Sequence, residues 1–523
     1  MTILTRLLRA LALVILLGPV AVILIAVAES LVNQGPASFA PAIPTARTMT
    51  LLLRSCALAA VVALSCMIAG TLAATVLTKR TRWCSSLRLL FPVLLVVPPY
   101  LQAVVWTTCL MSLNTWLDSH GLRFLRLDGW FGAWAAEFMA LLPLATGLAL
   151  LSLRSIDPAL VDAAAMSRAP SAVLHTVVVP LAAPYLAAGA GILFLFSLLD
   201  YSVPSLFAVN VYALEIFSRY SADGRAVTAA LVSIPVLVVA GLVIRGVLSP
   251  LRHAATTPAG RAVLEGRWPR WLAVARWLAL VLLAAQAIVP LVWLSLSGGS
   301  ANAVIRAGAS ARREIVVTCQ IAVGCAFLAV VLGPVVAQRL AAKGRATALW
   351  WIAVCVAFAA PGPLVGVGLA RLSTWFPALR EGLWMPVWAN TTRFLPIAAF
   401  IVYAHLRRVD PLLLDTARLT QRGWLHGLLR VRLPLALPAL LVAGAVCMVL
   451  SMGELGATII VTPPGSTTLM MRVYNLLHYG ESTEVAALCV VLMLLAFGAA
   501  AFAMAAVRMA ARRARLGSIQ DEA

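Results

Sequence analysis

The sequence predicts an all-α integral membrane protein, and three observations support this fold class. Hydrophobic residues make up 62% of the 523 residues and charged residues only 11%, whereas a soluble domain is about a quarter charged. Apolar runs of about 20 residues, the length that a helix needs to cross a bilayer, recur along the whole chain. These runs are apolar on every face, which excludes the alternating pattern of a membrane β-barrel.

About twelve of these runs are predicted to be transmembrane helices. Lys and Arg concentrate in alternate loops, and cytoplasmic loops accumulate them, so we expect both termini in the cytoplasm. The small residues at Ala28 resemble a signal-peptidase site, but the apolar run before them is long for a signal peptide, so we expect the first helix to be retained. The predicted spans are 7–28, 49–77, 89–112, 129–152, 184–208, 227–248, 272–296, 315–338, 347–370, 388–406, 435–461 and 484–507.

The two halves of the sequence resemble each other at a nearly constant offset. Asp162 corresponds to Asp415, and Pro180 to Pro434. Each half contains an even number of spans, so both copies enter the membrane in the same sense and form a parallel repeat. We therefore expect two six-helix repeats joined by a polar, basic cytoplasmic linker: a first repeat at 1–248, the linker at 249–270 and a second repeat at 271–523.

A semi-polar stretch recurs between the fourth and fifth spans of each repeat, on the predicted cytoplasmic side, at 153–183 and 407–434. In the second copy Arg418 and Arg422 share one helical face, and leucines occupy another. Each copy is predicted to form a short amphipathic helical hairpin outside the bilayer. Such a hairpin fits an interfacial helix, a transporter gate or a docking site for a soluble partner. Its presence in both repeats favours a partner that is itself twofold.

These stretches resemble the EAA loop of binding-protein-dependent ABC importer permeases, whose pattern is E-A-A, three residues, G, nine residues, I-x-L-P. The first copy has Arg168 and the second Gln421 in the glycine position, and the first copy is one residue short. The resemblance assigns the coupling of the permease to its ATPases to both loops. The matching residues are Asp162, Ala163, Ala164, Arg168 and Pro180 in the first loop, and Asp415, Thr416, Ala417, Gln421 and Pro434 in the second.

The resemblance covers the whole chain and is strongest for the fused double permeases of the ferric-iron and thiamine import group. Their segments after the loop resemble "FSLLDYSVPSLF" from Phe196 and "LSMGELGATIIV" from Leu450. It implies the type I ABC importer permease fold in a bacterial plasma (inner) membrane. It also implies two cytoplasmic ATPase subunits and an extracytoplasmic solute-binding protein as partners. The implied solute is ferric iron, with thiamine, phosphonate or another small solute as alternatives.

The chain itself lacks the signature of an ATPase. A P-loop requires G-x-x-x-x-G-K-[ST], and the two lysines, Lys79 and Lys343, follow Thr78 and Ala342. We therefore expect no catalytic residue and no cofactor, and assign ATP hydrolysis to partner subunits. The six histidines are scattered without metal-ligand spacing, so no metal site is predicted. The basic residues behind the net charge of +21 are spread over loops, as a membrane topology explains. Nucleic acid is therefore not an expected partner.

Polar and helix-breaking residues within the spans are candidates for the translocation path. An ionised group at mid-bilayer costs about 2.5–3.5 kcal/mol, so the equivalent residues Asp200 and Glu454 are expected either to contact solute or to cap broken helices. For Glu137 and Arg393 we favour an ion pair or snorkelling over solute contact. Proline and glycine predict kinks in the third and ninth spans that form a gate. The path candidates are Gln102, Ser197, Asp200, Pro361, Gly362, Ser451 and Glu454.

Two other classes of protein remain open from the sequence: an ion-coupled secondary transporter and a non-transport scaffold. A secondary transporter is expected to carry ionisable residues deep in discontinuous helices. Here the deep spans are nearly free of charge, and the ordered polar pattern lies in the loops. This distribution favours the importer permease.

Overall fold

The computed structural model describes residues 3–78, 98–122, 127–256, 270–297, 301–409, 412, 427–479 and 482–520. Across these ranges the chain forms helices joined by short turns and contains no β-strand. The predicted all-α membrane fold class is therefore confirmed.

The described part of the first half of the chain forms ten α-helices, of which α1, α2, α4, α7 and α10 are the long apolar ones. In chain order they are α1 (Ile3–Gln34), α2 (Ala46–Leu77), α3 (Pro99–Ser119), α4 (Gly129–Arg154), α5 (Pro158–Ser167), α6 (Pro170–Val173), α7 (Val179–Leu199), α8 (Ser202–Leu206), α9 (Tyr212–Asp223) and α10 (Ala226–Thr256).

The second half presents a similar order of long and short helices. In chain order they are α11 (Ala273–Ser297), α12 (Ala301–Ser310), α13 (Arg312–Ala341), α14 (Arg345–Ala359), α15 (Gly362–Trp375), α16 (Trp384–Leu406), α17 (Leu433–Met452), α18 (Thr458–Val461), α19 (Leu469–Tyr479) and α20 (Ser482–Gln520).

In the described part of the chain, nine helical segments are long and apolar enough to cross a membrane, or ten if the bent pair of α14 and α15 is one span. The predicted tenth span coincides with α16, and the described part of the predicted third span lies in α3. Neither helix has a stretch of 18 residues apolar enough to count among the nine segments. The nine segments are Ile3–Gln34, Ala46–Leu77, Gly129–Arg154, Pro170–Leu199, Ala226–His253, Ala273–Trp293, Arg312–Ala341, Arg430–Met452 and Glu484–Met509.

The helices divide into two compact units that do not follow the order of the chain. One unit combines residues 1–26 with 312–472 and 492–523, and the other combines residues 27–311 with 473–491. Most of α1 therefore packs with helices of the second half, and α11 packs with helices of the first half. The repeat and linker boundaries proposed from the sequence describe the chain order and remain a prediction.

Helix α1 packs closely against α15 and α16. The backbone oxygen of Ile15 accepts hydrogen bonds from Trp388 Nε1 at 3.2 Å and from Thr392 Oγ1 at 2.7 Å. A Cβ atom on Gly368 would lie 2.9 Å from the carbonyl carbon of Pro19, so only glycine permits this approach.

Polar side chains join α11 to the helices of the first half. Arg276 donates from Nε to Thr75 Oγ1 at 2.7 Å, and Gln102 donates from Nε2 to Gln286 Oε1 at 2.8 Å. Trp293 Nε1 donates to Thr108 Oγ1 at 3.0 Å. Buried polar groups need such partners, so these bonds fix α11 against α2 and α3.

Candidate coupling helix and intramembrane polar sites

Helix α5 lies within the first of the two predicted cytoplasmic loops. Asp157 caps its N-terminus by accepting a hydrogen bond from the backbone N–H of Ala159 at 3.0 Å. Pro158 occupies the first helical position, where its missing N–H costs no helical hydrogen bond. The Asp157–Pro158 pair therefore starts this helix.

The two faces of α5 have different surroundings. Val161 is buried in the hydrophobic core of the first half, and Ala164 packs partly against the same core. Asp162 and Ala163 are exposed, and Met166 is 90% exposed. The helix is thus anchored on one side and presents an apolar residue on the other.

Arg168 ends α5 without the glycine that the EAA pattern places there. Its backbone is extended, with φ −132° and ψ 149°, a conformation that any L-residue adopts. Its guanidinium Nη1 donates to Thr176 Oγ1 at 2.9 Å. The chain therefore turns at this point without a left-handed residue, which explains how arginine is accommodated.

Each loop contains, near its end, one turn of π-helix that leads into the next long helix. The two turns are Leu174–Val178, before α7, and Leu428–Arg432, before α17. The closing prolines, Pro180 and Pro434, both lie in the first turn of the α-helix that follows, and both are exposed. Asp415, Thr416, Ala417 and Gln421 of the second loop lie outside the described residues.

Ser197 and Ser451, two of the path candidates, make equivalent contacts in the two halves. Ser197 donates to Oε2 of Glu137 on α4. Ser451 accepts a hydrogen bond at 2.6 Å from Nδ2 of Asn390, which occupies the position on α16 that corresponds to Glu137. All four residues are buried.

The acidic path candidates cap short helices. Asp200 Oδ1 accepts from Ser202 Oγ at 2.6 Å and from Ser202 N–H at 3.0 Å, at the start of α8. Glu454 accepts from the backbone N–H groups of Ala457 and Thr458, each at 3.0 Å, at the start of α18. Capping was one of the two roles that the sequence left open for this pair.

Glu454 also forms an ion pair with Arg393 of α16. A Cβ atom on Gly362 would lie 3.1 Å from Nη1 of Arg393. The structure therefore brings together three of the residues singled out from the sequence: Gly362, Arg393 and Glu454.

The predicted kink in the ninth span is present. Helices α14 and α15 meet at 103°, with Pro361 preceding the first residue of α15 and Gly362 beginning it. Gln102 lies in the first turn of α3 and is buried, and its amide is held by Gln286 rather than by another path candidate. The role of these residues as a gate remains a prediction.

Sequence reasoning missed two polar residues of these sites. Asn390 follows from the internal duplication, because it stands at the offset of Glu137, but an uncharged amide in an apolar span drew no attention. Gln286 faces Gln102 from the first predicted span of the second repeat. No local pattern predicts that pairing, because the two residues meet only through the packing of α11.

In the part of the chain that the structure describes, no group of three or more His, Cys, Asp or Glu side chains is arranged to hold a metal ion. The buried carboxylates are instead engaged by serine hydroxyls, backbone N–H groups or arginine.

Comparison with known proteins identifies similar transport permeases. The chain is 34% identical over 139 residues to a protein provisionally named a 2-aminoethylphosphonate transport system permease, PhnV, from Salmonella paratyphi A and from Salmonella typhimurium. It is 30% identical over 117 residues to PotC, a spermidine/putrescine transport system permease of Escherichia coli. The alignments cover 26% and 22% of this chain and 51% and 44% of the relatives. The chain thus spans about half the length of the curated relatives it matches. No protein-family model matches it.

Proposed function

We propose that this chain is the membrane-spanning permease subunit of an ATP-driven importer for a small solute. Three observations support the proposal: the long apolar helices, the similarity to transport system permeases, and the short helix α5. Helix α5 carries most weight, because it is where a transmembrane permease would receive an external force. Two copies of a cytoplasmic ATPase and an extracytoplasmic solute-binding protein are the proposed partners, in a bacterial plasma membrane.

The exposed face of α5 suits contact with a soluble protein. Met166 and Leu160 are 90% and 51% exposed, and methionine adapts readily to a partner surface. On the opposite face, Val161 packs in the hydrophobic core together with residues of α4 and α7. A displacement of α5 is therefore proposed to move these two helices. The hydrogen bond between Arg168 and Thr176 joins the end of α5 to the π-helical turn before α7. The EAA residues of both loops are proposed to act in this way.

Ala163→Glu tests the coupling surface, because it places a charge in the proposed ATPase contact. We expect the variant to insert normally but to lose both the co-purifying ATPase and ATP-driven uptake. Ala222→Glu is the matched control, since Ala222 is an exposed alanine at the end of another short helix, α9, on the predicted outer side. The proposal fails if Ala163→Glu retains its ATPase or if no ATPase binds the unaltered protein.

Energy coupling separates the proposal from an ion-coupled secondary transporter. Uptake should stop when ATP is depleted and should persist when a protonophore collapses the ion gradient while ATP is maintained. The opposite pattern would identify a secondary transporter and would contradict the importer assignment.

For the solute we propose a chemical class and not a single compound. Phosphonate, one of the alternatives from the sequence, matches the name of the Salmonella relatives, and spermidine and putrescine appear in the name of the other. Ferric iron, which the sequence resemblance implied, appears in none of these names. A small organic solute is therefore the better-supported proposal. Uptake of labelled candidates by cells with and without the chain tests it.

A further inference from the structure

A polar pair inside the membrane recurs in the two halves, and in each half it leaves one oxygen unused. Glu137 accepts from Ser197 through Oε2, and Asn390 donates to Ser451 through Nδ2. The remaining oxygens, Oε1 of Glu137 and Oδ1 of Asn390, are buried and have no hydrogen-bond partner among the described residues. Glu137 is 2% exposed and Asn390 0%.

An unpartnered buried acceptor destabilises a folded protein, because its hydrogen bond to water is lost and nothing replaces it. An unpartnered oxygen at equivalent positions of both halves therefore indicates that both need a hydrogen-bond donor. A group that donates hydrogen bonds, present for part of the transport cycle, satisfies that requirement. A solute moving through the permease is such a group.

The two halves differ in charge at these pairs. In the second half Asn390 is neutral, and the nearby carboxylate of Glu454 is paired with Arg393. In the first half Glu137 takes the place of Asn390, and Ala140 takes the place of Arg393. Asp200 follows Ser197, the donor to Glu137, by three residues, and among the described residues no arginine or lysine forms an ion pair with either carboxyl group.

Ionising a buried carboxyl group is costly in a low-dielectric environment unless a cation accompanies it. An ammonium group complements it, since –NH₃⁺ carries one positive charge and three donors and no acceptor. Helix α4 places Glu137 two turns from its predicted outer end, on the side from which an imported solute arrives.

We propose that Glu137 and Ser197, with the negative charge of Asp200, form a subsite for the ammonium group of the transported solute. This inference rests on the proposed function and narrows it from a small solute to an amine-bearing one. Asp200 contributes through its charge while its oxygens cap α8. Glu137 contributes the free oxygen that receives the N–H donor. In the second half, Asn390 offers a neutral acceptor.

Uptake by cells of the source organism tests the subsite, with the chromosomal copy replaced by each variant. The probes are 2-aminoethylphosphonate and ethylphosphonate, which differ only in the amino group, together with putrescine and ferric iron. We expect the unaltered chain to import an amine probe. Glu137→Gln should raise the KM for that probe about tenfold or more, the loss expected when a charge-assisted hydrogen bond is removed.

Two further variants separate a binding role from a structural one. Glu137→Asn gives the first half the side chain that the second half carries and should cause the same loss, while Glu137→Asp should restore part of the affinity. Glu381→Gln removes an exposed carboxylate elsewhere and should leave uptake unchanged. Glu137→Gln should still co-purify with the ATPase and melt at or above the temperature of the unaltered protein, because the amide keeps the bond to Ser197.

The inference is overturned if the unaltered chain imports ferric iron or ethylphosphonate but neither amine, or if it imports no amine probe at all. It is also overturned if Glu137→Gln leaves the KM for the amine unchanged, or impairs amine and non-amine probes equally. In each case co-purification of the ATPase with the unaltered chain decides separately whether the proposed function stands.

Discussion

At the scale of single residues, equivalent acidic positions have acquired different surroundings. Asp200 and Glu454 each cap a short helix by accepting hydrogen bonds from its backbone N–H groups. Within the described ranges, only Glu454 also has an arginine partner, Arg393, reaching it from α16. The same position in the duplicated sequence thus supports a paired charge in one half and an unpaired one in the other.

The Arg393–Glu454 pair leads to a prediction about stability. Arg393→Met leaves a buried carboxylate without its cation and should lower the free energy of unfolding by about 3 kcal/mol, since breaking a buried pair from one side is strongly destabilising. Combining it with Glu454→Gln removes the charge while keeping an oxygen for the N–H groups of α18, so the double variant should be the more stable of the two. Thermal unfolding in detergent compares the stabilities of the two variants. A double variant that is less stable than Arg393→Met alone would contradict the prediction.

At the scale of elements, the contacts between helices depend on small residues. Gly368 lets α15 meet the backbone of α1 at Pro19, and Gly70 lets α2 meet the backbone of α4 at Ala145. Close backbone approach at glycine is a common way for membrane helices to associate, because little hydrophobic driving force acts between helices in lipid. Packing density rather than polarity holds these pairs together.

Gly368→Ala should therefore destabilise the protein by about 1–3 kcal/mol, the usual cost of overpacking. Gly241→Ala is the control: it is also in a long helix, α10, and its added Cβ would meet nothing within 4 Å. Because alanine favours helix more than glycine does, the control should be neutral or stabilising. Melting temperatures in one detergent compare the two, and equal shifts would show that the α1–α15 contact is not close.

The π-helical turns are the element-scale feature that joins the loops to the spans. One extra residue per turn displaces the helical register, and such turns are frequent at functional sites. Both occur directly before a span that carries a path candidate, Ser197 in α7 and Ser451 in α17. Thr176, inside the first turn, accepts from Arg168.

Thr176→Val removes that acceptor without changing the shape of the side chain. The bond is exposed, so the melting temperature should change little, by an amount equivalent to less than about 1 kcal/mol. If the turn transmits motion from α5 to α7, solute-stimulated ATP hydrolysis should fall while the ATPase still co-purifies. Unchanged stimulation would limit Arg168 and Thr176 to a local structural role.

At the scale of the whole molecule, each half of the chain contributes its first helix to the compact unit formed mainly by the other half. Residues 1–26 belong with the helices of the second half, and α11 belongs with those of the first. Neither half of the chain therefore contains all the helices of one unit. Because of this exchange, we expect the two halves of the chain to depend on each other for folding.

Dividing the chain after Gly260 tests the exchange. Residues 1–260 expressed alone should aggregate or be degraded, because α1 lacks Trp388 and Gly368 as packing partners and Thr75 lacks Arg276. Co-expression of residues 261–523 should rescue both fragments as a complex that co-purifies. A stable, monodisperse first fragment would show that the halves fold independently.

The sequence by itself determined the all-α membrane class, the positions of most spans and the bend at Pro361. These features depend on local hydropathy, capping and the geometry of proline, which act over a few residues. The duplication also pointed to Ser197, Ser451, Asp200 and Glu454 as a related set. The sequence did not determine which of these acidic residues forms an ion pair with a basic side chain.

Only the tertiary structure decided that Arg393 pairs with Glu454, that Gln286 meets Gln102, and that α1 and α11 pack with the opposite halves. Each of these depends on residues that are 61 to 184 positions apart along the chain, or on whole helices. In an apolar sequence every span is compatible with many neighbours, since lipid and helix surfaces are similarly apolar. The choice among them therefore rests on glycine contacts and a few buried hydrogen bonds, which become visible only when the helices are packed.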